Sequence, residues 1–235
     1  LPRSWDLRLV DLNVTQLRDA DLQWADYVMI GAMIVHKESV REIIARCRAI
    51  GRTVIGGGPL FTAGPEDWEA DVHCVLGEAE TVMGDLQRDL ESGLLRRRYQ
   101  ATERPDVALT PVPRWDLIDF RHYVTMLVQF SRGCPYDCEF CDIVALNGKV
   151  PRTKSPDQMI AELDVLRRMG WRDMVFLVDD NFIGNKVRVK EFLVELVQWR
   201  KRTGSQMGFF TEASVNLADE EELLAHIAKL KPHNT

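Results

Sequence analysis

Three cysteines that stand within eight residues of one another are the most informative feature of this sequence. They are Cys134, Cys138 and Cys141, in the spacing Cys-x3-Cys-x2-Cys. Thiolates this close along the chain can converge on one metal centre, and soft sulfur ligands suit zinc ions and iron–sulfur clusters. The spacing therefore indicates a metal site on a single loop.

The spacing leaves several identities for this site open. A structural zinc ion normally takes four protein ligands in two separated pairs, and no fourth ligand stands at such a distance in the sequence. A cubane cluster held by three cysteines leaves one iron without a protein ligand, which favours chelation of a substrate or cofactor over simple electron transfer. A ferredoxin-like carrier and three inert buried thiols are the remaining alternatives.

The rest of the composition restricts the class of protein. The chain has five cysteines, an odd number, and lacks secretory features, which argues against a disulfide framework and for a cytoplasmic protein. Cys47 and Cys74 are expected as small buried hydrophobic residues. With a net charge of −6, the chain is not basic enough for nucleic acid to be its main partner. The longest apolar run, 27–35, is too short to span a bilayer.

The first part of the chain alternates short apolar strands with helices, which is typical of a parallel, doubly wound α/β sheet. The predicted strands cover 7–12, 27–33, 53–55 and 72–76, and the predicted helices cover 39–50, capped by Ser39, and 81–90. The segment 94–124 contains three consecutive arginines and three prolines and is predicted to link two domains. The arginines are expected to form a solvated helix end, with a specific anion site as the alternative.

The second part of the chain, 125–235, restarts the same alternation. Its predicted strands cover 125–130, 174–178 and 208–211, and its predicted helices cover 156–169, 187–202 and 219–230, the last capped by Asp219. The first of these strands leads into the cysteines, and the second ends in Asp179-Asp180-Asn181. Because the C-terminal ends of parallel strands meet at one edge, we expect one common site there.

The cysteine segment SRGCPYDCEFC (131–141), with Phe140 before the last cysteine, resembles the signature of the radical S-adenosylmethionine (SAM) superfamily. FLVDDNFIGN (176–185) and TEASVNLAD (211–219) resemble later strand ends of the same barrel. Three further segments resemble the upstream module that binds B12 (cobalamin) in one class of these enzymes. They are GAMIV (31–35), GGGPLFT (56–62) and VLGEAE (75–80).

This resemblance implies a [4Fe–4S] cluster held by Cys134, Cys138 and Cys141, with the amine and carboxylate of SAM on the fourth iron. One-electron reduction, from a donor such as flavodoxin or ferredoxin, would cleave SAM to a 5′-deoxyadenosyl radical that abstracts a substrate hydrogen. The protein would position the cofactor and exclude water. Phe140 would lie near the adenine.

The end of the second strand of this barrel departs from the pattern of many relatives. They carry Gly-Gly-Glu there to bind the SAM amine, whereas this chain has Asp179-Asp180-Asn181. We expect Asp179 or Asp180 to accept hydrogen bonds from the SAM ammonium, with a helix cap and turn as the alternative. Glu212, at the end of the third strand, is expected to face the same opening of the barrel, at the C-terminal ends of its strands. The alternative is an ordinary loop carboxylate.

Small residues end two neighbouring strands of the upstream module. Gly31-Ala32 and Gly56-Gly57-Gly58 are expected to line a crevice for the nucleotide tail of cobalamin, bordered by Glu78, although a tight strand–helix turn explains the glycines equally well. The Asp-x-His-x-x-Gly motif that supplies a cobalt ligand in some relatives is absent. We expect His36 and His73 to be structural, so that no histidine of this chain binds cobalt.

The combined expectation is an α/β chain with a Rossmann-like parallel sheet at 1–93, its first strand missing, and the N-terminal part of a radical SAM (β/α) barrel at 125–235. Because the chain starts at Leu1 and shows three of the usual six barrel units, we expect a fragment or split gene product of a longer enzyme. The expected function is cobalamin-dependent methyl transfer to a C–H bond of a small-molecule substrate. A radical SAM enzyme without functional cobalamin and a non-catalytic iron–sulfur or cofactor-binding module are the alternatives.

Overall fold

The apolar runs of the first part of the chain form a parallel sheet with the strand order β1-β2-β3-β4. The strands are β1 (Tyr27–Gly31), β2 (Thr53–Gly57), β3 (Val72–Leu76) and β4 (Arg98–Gln100). The helices are α1 (Asp19–Trp24), α2 (Lys37–Ala49), α3 (Pro59–Ala63) and α4 (Met83–Ser92). The prediction of a parallel α/β sheet is confirmed.

The central strands of this sheet are buried on both faces. Val54 and Cys74 pack in a cluster with residues of α2 and α3, whereas Ile55 and Val75 pack in a second cluster with residues of α4. Successive side chains of a strand point to opposite faces, so the two clusters lie on opposite sides of the sheet. Burial on both sides explains why these strands appear in the sequence as continuous apolar runs.

Several predictions for this part of the chain were wrong. Residues 7–12 form no strand, and Arg8 in this segment instead donates to the Asp21 carboxylate. Ser39 is not a helix cap, because α2 already begins at Lys37, directly after a 3-10 turn. The arginine run is not a helix end, since Arg98 starts β4 and pairs with Glu69.

The structure is a computed structural model that describes residues 1–2 and 4–230; residues 231–235, the end of the predicted barrel segment, lie outside the described residues. The chain divides into two units, Leu1–Pro105 and Asp106–Thr235. The boundary falls inside the segment predicted as a linker. That segment contributes β4 to the first unit and the buried Trp115 to the core of the second.

The second unit contains a three-stranded parallel sheet, ordered β5-β8-β9, and a short antiparallel hairpin, β6-β7. The strands are β5 (Thr125–Val128), β6 (Ser131–Arg132), β7 (Arg152–Thr153), β8 (Met174–Leu177) and β9 (Phe209–Thr211). The helices are α5 (Ile143–Asn147), α6 (Pro156–Arg168), α7 (Lys186–Thr203) and α8 (Glu221–Ala228). Asp219 ends a 3-10 turn before α8 and is not the predicted cap.

The two faces of this second sheet differ. Met126, Val175 and Leu177 point into the core formed with α6 and α7. The opposite face carries Leu127, Phe176 and Phe210, and the two phenylalanine rings stack with centroids 4.7 Å apart. Among the residues that the structure describes, no helix combines the length and the apolar character needed to cross a membrane.

Candidate functional site

The cysteine loop begins beyond the C-terminal end of β5 and is closed at its base by the β6-β7 hairpin. Gly133, the first residue after β6, has a φ of 99°, and a Cβ added there would lie 2.9 Å from the carbonyl oxygens of Gly148 and Val150. Only glycine fits this position without moving backbone. Cys134 N donates to Gly148 O at 3.1 Å, which holds the first cysteine against the returning chain.

The three thiols of this loop are free, with Cys134 half-buried and Cys138 and Cys141 exposed. No three His, Cys, Asp or Glu side chains in the described part of the chain are grouped as a metal site, so the thiols do not converge in this structure. The donor set nevertheless fits a three-thiolate centre, because all three sulfurs lie on one short loop.

Asp179 follows β8 and fixes the start of the cysteine loop. Its Oδ1 accepts from Phe130 N at 2.8 Å, and its Oδ2 accepts from Ser131 N at 3.0 Å and from Ser131 Oγ at 2.7 Å. The residue is only 5% exposed. These partners engage both oxygens of Asp179 and hold the residue at the start of the cysteine loop.

Burial also raises the pKa of Asp179 to about 6, because desolvation of the carboxylate outweighs the hydrogen bonds from Ser131 and Phe130 that favour it. A carboxyl group whose pKa is higher in the folded state stabilises the fold most below its unfolded pKa. That contribution is lost as the pH rises through the folded pKa.

We therefore expect the free energy of unfolding of the wild-type protein to fall relative to that of Asp179→Asn as the pH rises. The asparagine cannot ionise, so the difference between the two proteins should change by roughly 1–3 kcal/mol from about pH 4 to about pH 7. Denaturant titrations of the cluster-free proteins at several pH values measure this difference. Asp173→Asn, at an exposed carboxylate, is the matched control. If the difference in unfolding free energy from the wild type changed with pH equally for both variants, the raised pKa of Asp179 would be contradicted.

Asp180 joins the two ends of the cysteine loop. Its Oδ2 accepts from Gly133 N at 2.8 Å and from Asn147 Nδ2 at 2.9 Å. Residue 133 precedes the first cysteine and residue 147 ends α5, so one carboxylate oxygen holds both ends of the intervening segment. Asp180 is half-buried and lies nearer to solvent than Asp179.

Asn181 is a site residue to which sequence reasoning gave no role. It is buried, and its amide nitrogen contacts both Ser214 Oγ and Cys134 Sγ. Its place directly after two aspartates at a strand end was the available signal. Three consecutive residues after β8 thus contact successive parts of the cysteine loop.

Phe140 and Glu212 both lie at the surface. The Phe140 side chain is 91% exposed, beside Cys141 on the cysteine loop. Glu212 directly follows β9, and its carbonyl oxygen accepts from Phe182 N at 3.0 Å, which joins the ends of β9 and β8. Glu212 thus lies at the C-terminal edge of the sheet, and its contact with SAM stays a prediction.

The small residues of the first unit separate into two groups. Gly31 and Gly57 are direct partners across β1 and β2, and an added Cβ would meet nothing within 4 Å at Gly31 and only ordinary contacts with Val75 at Gly57. They form a strip of bare backbone at the C-terminal ends of two strands. Such a strip allows a ligand to approach closely.

The other small residues have packing roles that the sequence did not reveal. A Cβ at Gly56 would lie 2.5 Å from the Phe61 ring, so Gly56 faces the core rather than a crevice. Gly58 has a φ of 88° and packs against the backbone of Ala32, which is itself held by a hydrogen bond from its N–H to Gly57 O. Of the predicted crevice residues, Gly31 and Gly57 alone retain space at Cβ.

The remaining candidates of the first unit occupy structural or bordering positions. Glu78 is half-buried after β3. His36 Nδ1 accepts from Met33 N, and His73 Nδ1 lies 2.7 Å from Arg96 O, as expected for structural histidines. The predicted burial of Cys47 and Cys74 is confirmed, and burial raises the pKa of the Cys74 thiol to about 11.

Two curated proteins illustrate the sequence similarity of the chain. An uncharacterized methyltransferase of Synechocystis sp. is 46% identical over 227 residues, which is 95% of this chain and 42% of that protein. The hopanoid C-2 methylase of Rhodopseudomonas palustris is 36% identical over 228 residues, which is 95% of this chain and 43% of that protein. The chain therefore spans less than half the length of these relatives. No family model matches it.

Solved structures with the same fold extend this comparison. The cobalamin-dependent SAM radical enzyme OxsB, with aqua-cobalamin and SAM bound, aligns with a TM-score of 0.70 at 16% identity over 88% of this chain and 34% of its own. The radical SAM methyltransferase TsrM of Kitasatospora setae aligns with a TM-score of 0.63 at 19% identity, over 89% of this chain and 49% of its own. This chain thus shares the fold of the aligned parts of these two enzymes, and its sequence relatives are named methyltransferases and methylases.

Proposed function

We propose that this chain is the cofactor-binding part of a cobalamin-dependent radical SAM methyltransferase. The observation that carries the proposal is the loop of three free cysteines, fixed by Asp179 and Asp180 at the C-terminal edge of a parallel sheet. The fold shared with cobalamin-dependent radical SAM enzymes and the names of the sequence relatives support it. Those names, which include a hopanoid methylase, also support a small-molecule substrate.

Cys134, Cys138 and Cys141 are the residues that would hold a [4Fe–4S] cluster. When bound with one iron open to SAM, such a cluster supplies the electron that cleaves SAM reductively. Gly133 allows the tight approach of the loop to its own returning strand, and Phe140 presents an exposed ring that can stack on the adenine. Cys138 and Cys141 would supply the other two thiolates, and both side chains are exposed.

The acidic residues at the C-terminal edge of the second sheet have two different proposed roles, positioning of the cysteine loop and binding of SAM. Asp179 positions the loop, because both of its oxygens are engaged by backbone and hydroxyl donors. Asp180 and Glu212 lie nearer to solvent and supply negative charge for the SAM ammonium. We assign them to SAM binding.

For cobalamin, the proposed contact is the bare backbone at Gly31 and Gly57 of the first unit, with Glu78 at its border. The nucleotide tail would lie along this strip, and methyl transfer would draw on the methyl group of the corrinoid. Gly56 packs on Phe61 and Gly58 packs on Ala32, so fewer residues than the sequence suggested are open to cobalamin. This smaller binding surface favours a second candidate function, that of a radical SAM enzyme without functional cobalamin.

The test of the proposed function is reductive cleavage of SAM. The full-length protein of which we propose that this chain is a part is reconstituted anaerobically with iron and sulfide, reduced with dithionite in place of a flavodoxin or ferredoxin, and incubated with SAM. We expect methionine and 5′-deoxyadenosine in equal amounts, with the deoxyadenosyl radical taking its hydrogen atom from protein or buffer because no substrate is added. Neither product should form with a variant in which all three loop cysteines are alanine. A cluster-loaded wild-type protein that leaves SAM intact would contradict the proposal.

A further inference from the structure

Asn181 connects the first cysteine of the loop to the chain after β9. Its side chain is only 4% exposed, and its Nδ2 lies 3.1 Å from Ser214 Oγ and 4.0 Å from Cys134 Sγ. The second distance is at the long end of an N–H···S hydrogen bond. An amide nitrogen carries two hydrogens, so it can serve both partners at once.

The orientation of this amide follows from its other hydrogen bonds. Ser214 N donates to Asn181 Oδ1 at 3.2 Å, which requires an oxygen at that position. The Ser214 hydroxyl lies 2.6 Å from Asn216 Oδ1 and 3.4 Å from Asn181 Oδ1. It donates its single hydrogen over the shorter contact, which leaves its oxygen to accept from Asn181 Nδ2. A flipped amide would place a donor against Ser214 N, and the Nδ2 hydrogens therefore face Cys134.

A hydrogen bond from the Asn181 amide to the Cys134 sulfur would also affect a metal cluster bound to that sulfur. Hydrogen bonds to the cysteine sulfurs of an iron–sulfur cluster stabilise its reduced, more negative state and raise its reduction potential. Cys134 is the least exposed of the three cysteines, so its sulfur is the one least able to take such a bond from water.

We propose that Asn181 is a positioning residue that donates an N–H to the Cys134 thiolate and raises the reduction potential of the cluster held there. This inference rests on the proposed function, because it requires the cluster. It gives Asn181 a role separate from those of Asp179 and Asp180, which accept hydrogen bonds from backbone N–H groups at the start of the loop.

The experiment compares the midpoint potential of the reconstituted cluster in four proteins by potentiometric titration with EPR detection. Asn181→Ala removes the donor, and Asn181→Asp replaces it with a carboxylate oxygen of the same shape. Ser214→Ala is the matched control, because it breaks the link to the hydroxyl but retains the backbone N–H that orients the Asn181 amide.

We expect Asn181→Ala to shift the reduction equilibrium about tenfold towards the oxidised cluster, or about 59 mV for one electron. Asn181→Asp should shift it further, and Ser214→Ala should match the wild type. Equal potentials in all four proteins would overturn the inference, and so would loss of the cluster from both Asn181 variants, since Asn181 would then only hold the loop together. A wild-type chain without a cluster would overturn the proposed function itself.

Discussion

Replacing any one of Cys134, Cys138 and Cys141 with alanine should abolish binding of an intact iron–sulfur cluster by the reconstituted chain. The wild type should bind about four iron atoms per chain. A cluster with only two thiolate ligands would have two unprotected irons, and it would be lost on desalting. Iron and sulfide analysis after anaerobic reconstitution and gel filtration measures the effect, together with the absorbance of the cluster.

The two remaining cysteines are the matched controls for this prediction. Cys47 and Cys74 are buried in the first unit, and burial raises the pKa of both thiols, which disfavours the thiolate form that binds iron. Cys47→Ala and Cys74→Ala should therefore bind as much iron as the wild type. Full iron binding by Cys138→Ala, or loss of iron from Cys47→Ala, would show that the cluster site is misassigned.

Changing Gly57 to leucine should weaken cobalamin binding by about 10- to 100-fold, as expected for a side chain that overfills a close contact. Gly57 pairs with Gly31 across β1 and β2, and together they form the bare strip proposed for the nucleotide tail. An added Cβ would make only ordinary contacts with Val75, at 3.5 and 3.8 Å, so the sheet should fold normally. Corrinoid retention after desalting is the measurement, made on the full-length protein of which we propose that this chain is a part.

The control for Gly57→Leu is Gly84→Leu, an equal enlargement at an exposed position of α4 where an added Cβ meets nothing within 4 Å. Gly84→Leu should retain corrinoid like the wild type. Circular dichroism would establish that both variants are folded. Equal retention by both variants, or no retention by the wild type, would defeat the cobalamin proposal and favour a radical SAM enzyme without cobalamin.

Sequence reasoning succeeded where a local pattern determines the structure. The run 72–76 was predicted as a strand and is β3, because four of its five residues are buried in a sheet packed on both faces. The helix at 156–169 was predicted within one residue of α6, since its apolar spacing and proline at the first position are local signals. The three cysteines of the motif lie on one loop, as the spacing predicts, whereas the metal site itself stays a prediction.

Sequence reasoning failed where the structure depends on contacts between distant parts of the chain. β4 has three residues, of which only Tyr99 is buried, so its sequence carries no recognisable strand pattern. It forms because its backbone pairs with the edge of β3. The role of Asp179 depends on donors 48 and 49 residues away along the chain. Gly56 looked like part of a ligand crevice because nothing in the sequence shows that the Phe61 ring fills the space above it.

The most direct test of the central claim is the EPR spectrum of the reduced, reconstituted chain, recorded with and without SAM. A cluster held by three cysteines has one iron open to the amine and carboxylate of SAM, so SAM should change the signal of the reduced [4Fe–4S] cluster. We expect that change in the wild type and no cluster signal when Cys134, Cys138 and Cys141 are all alanine. A cluster signal that SAM leaves unchanged, or no cluster signal from the wild type, would contradict the central claim.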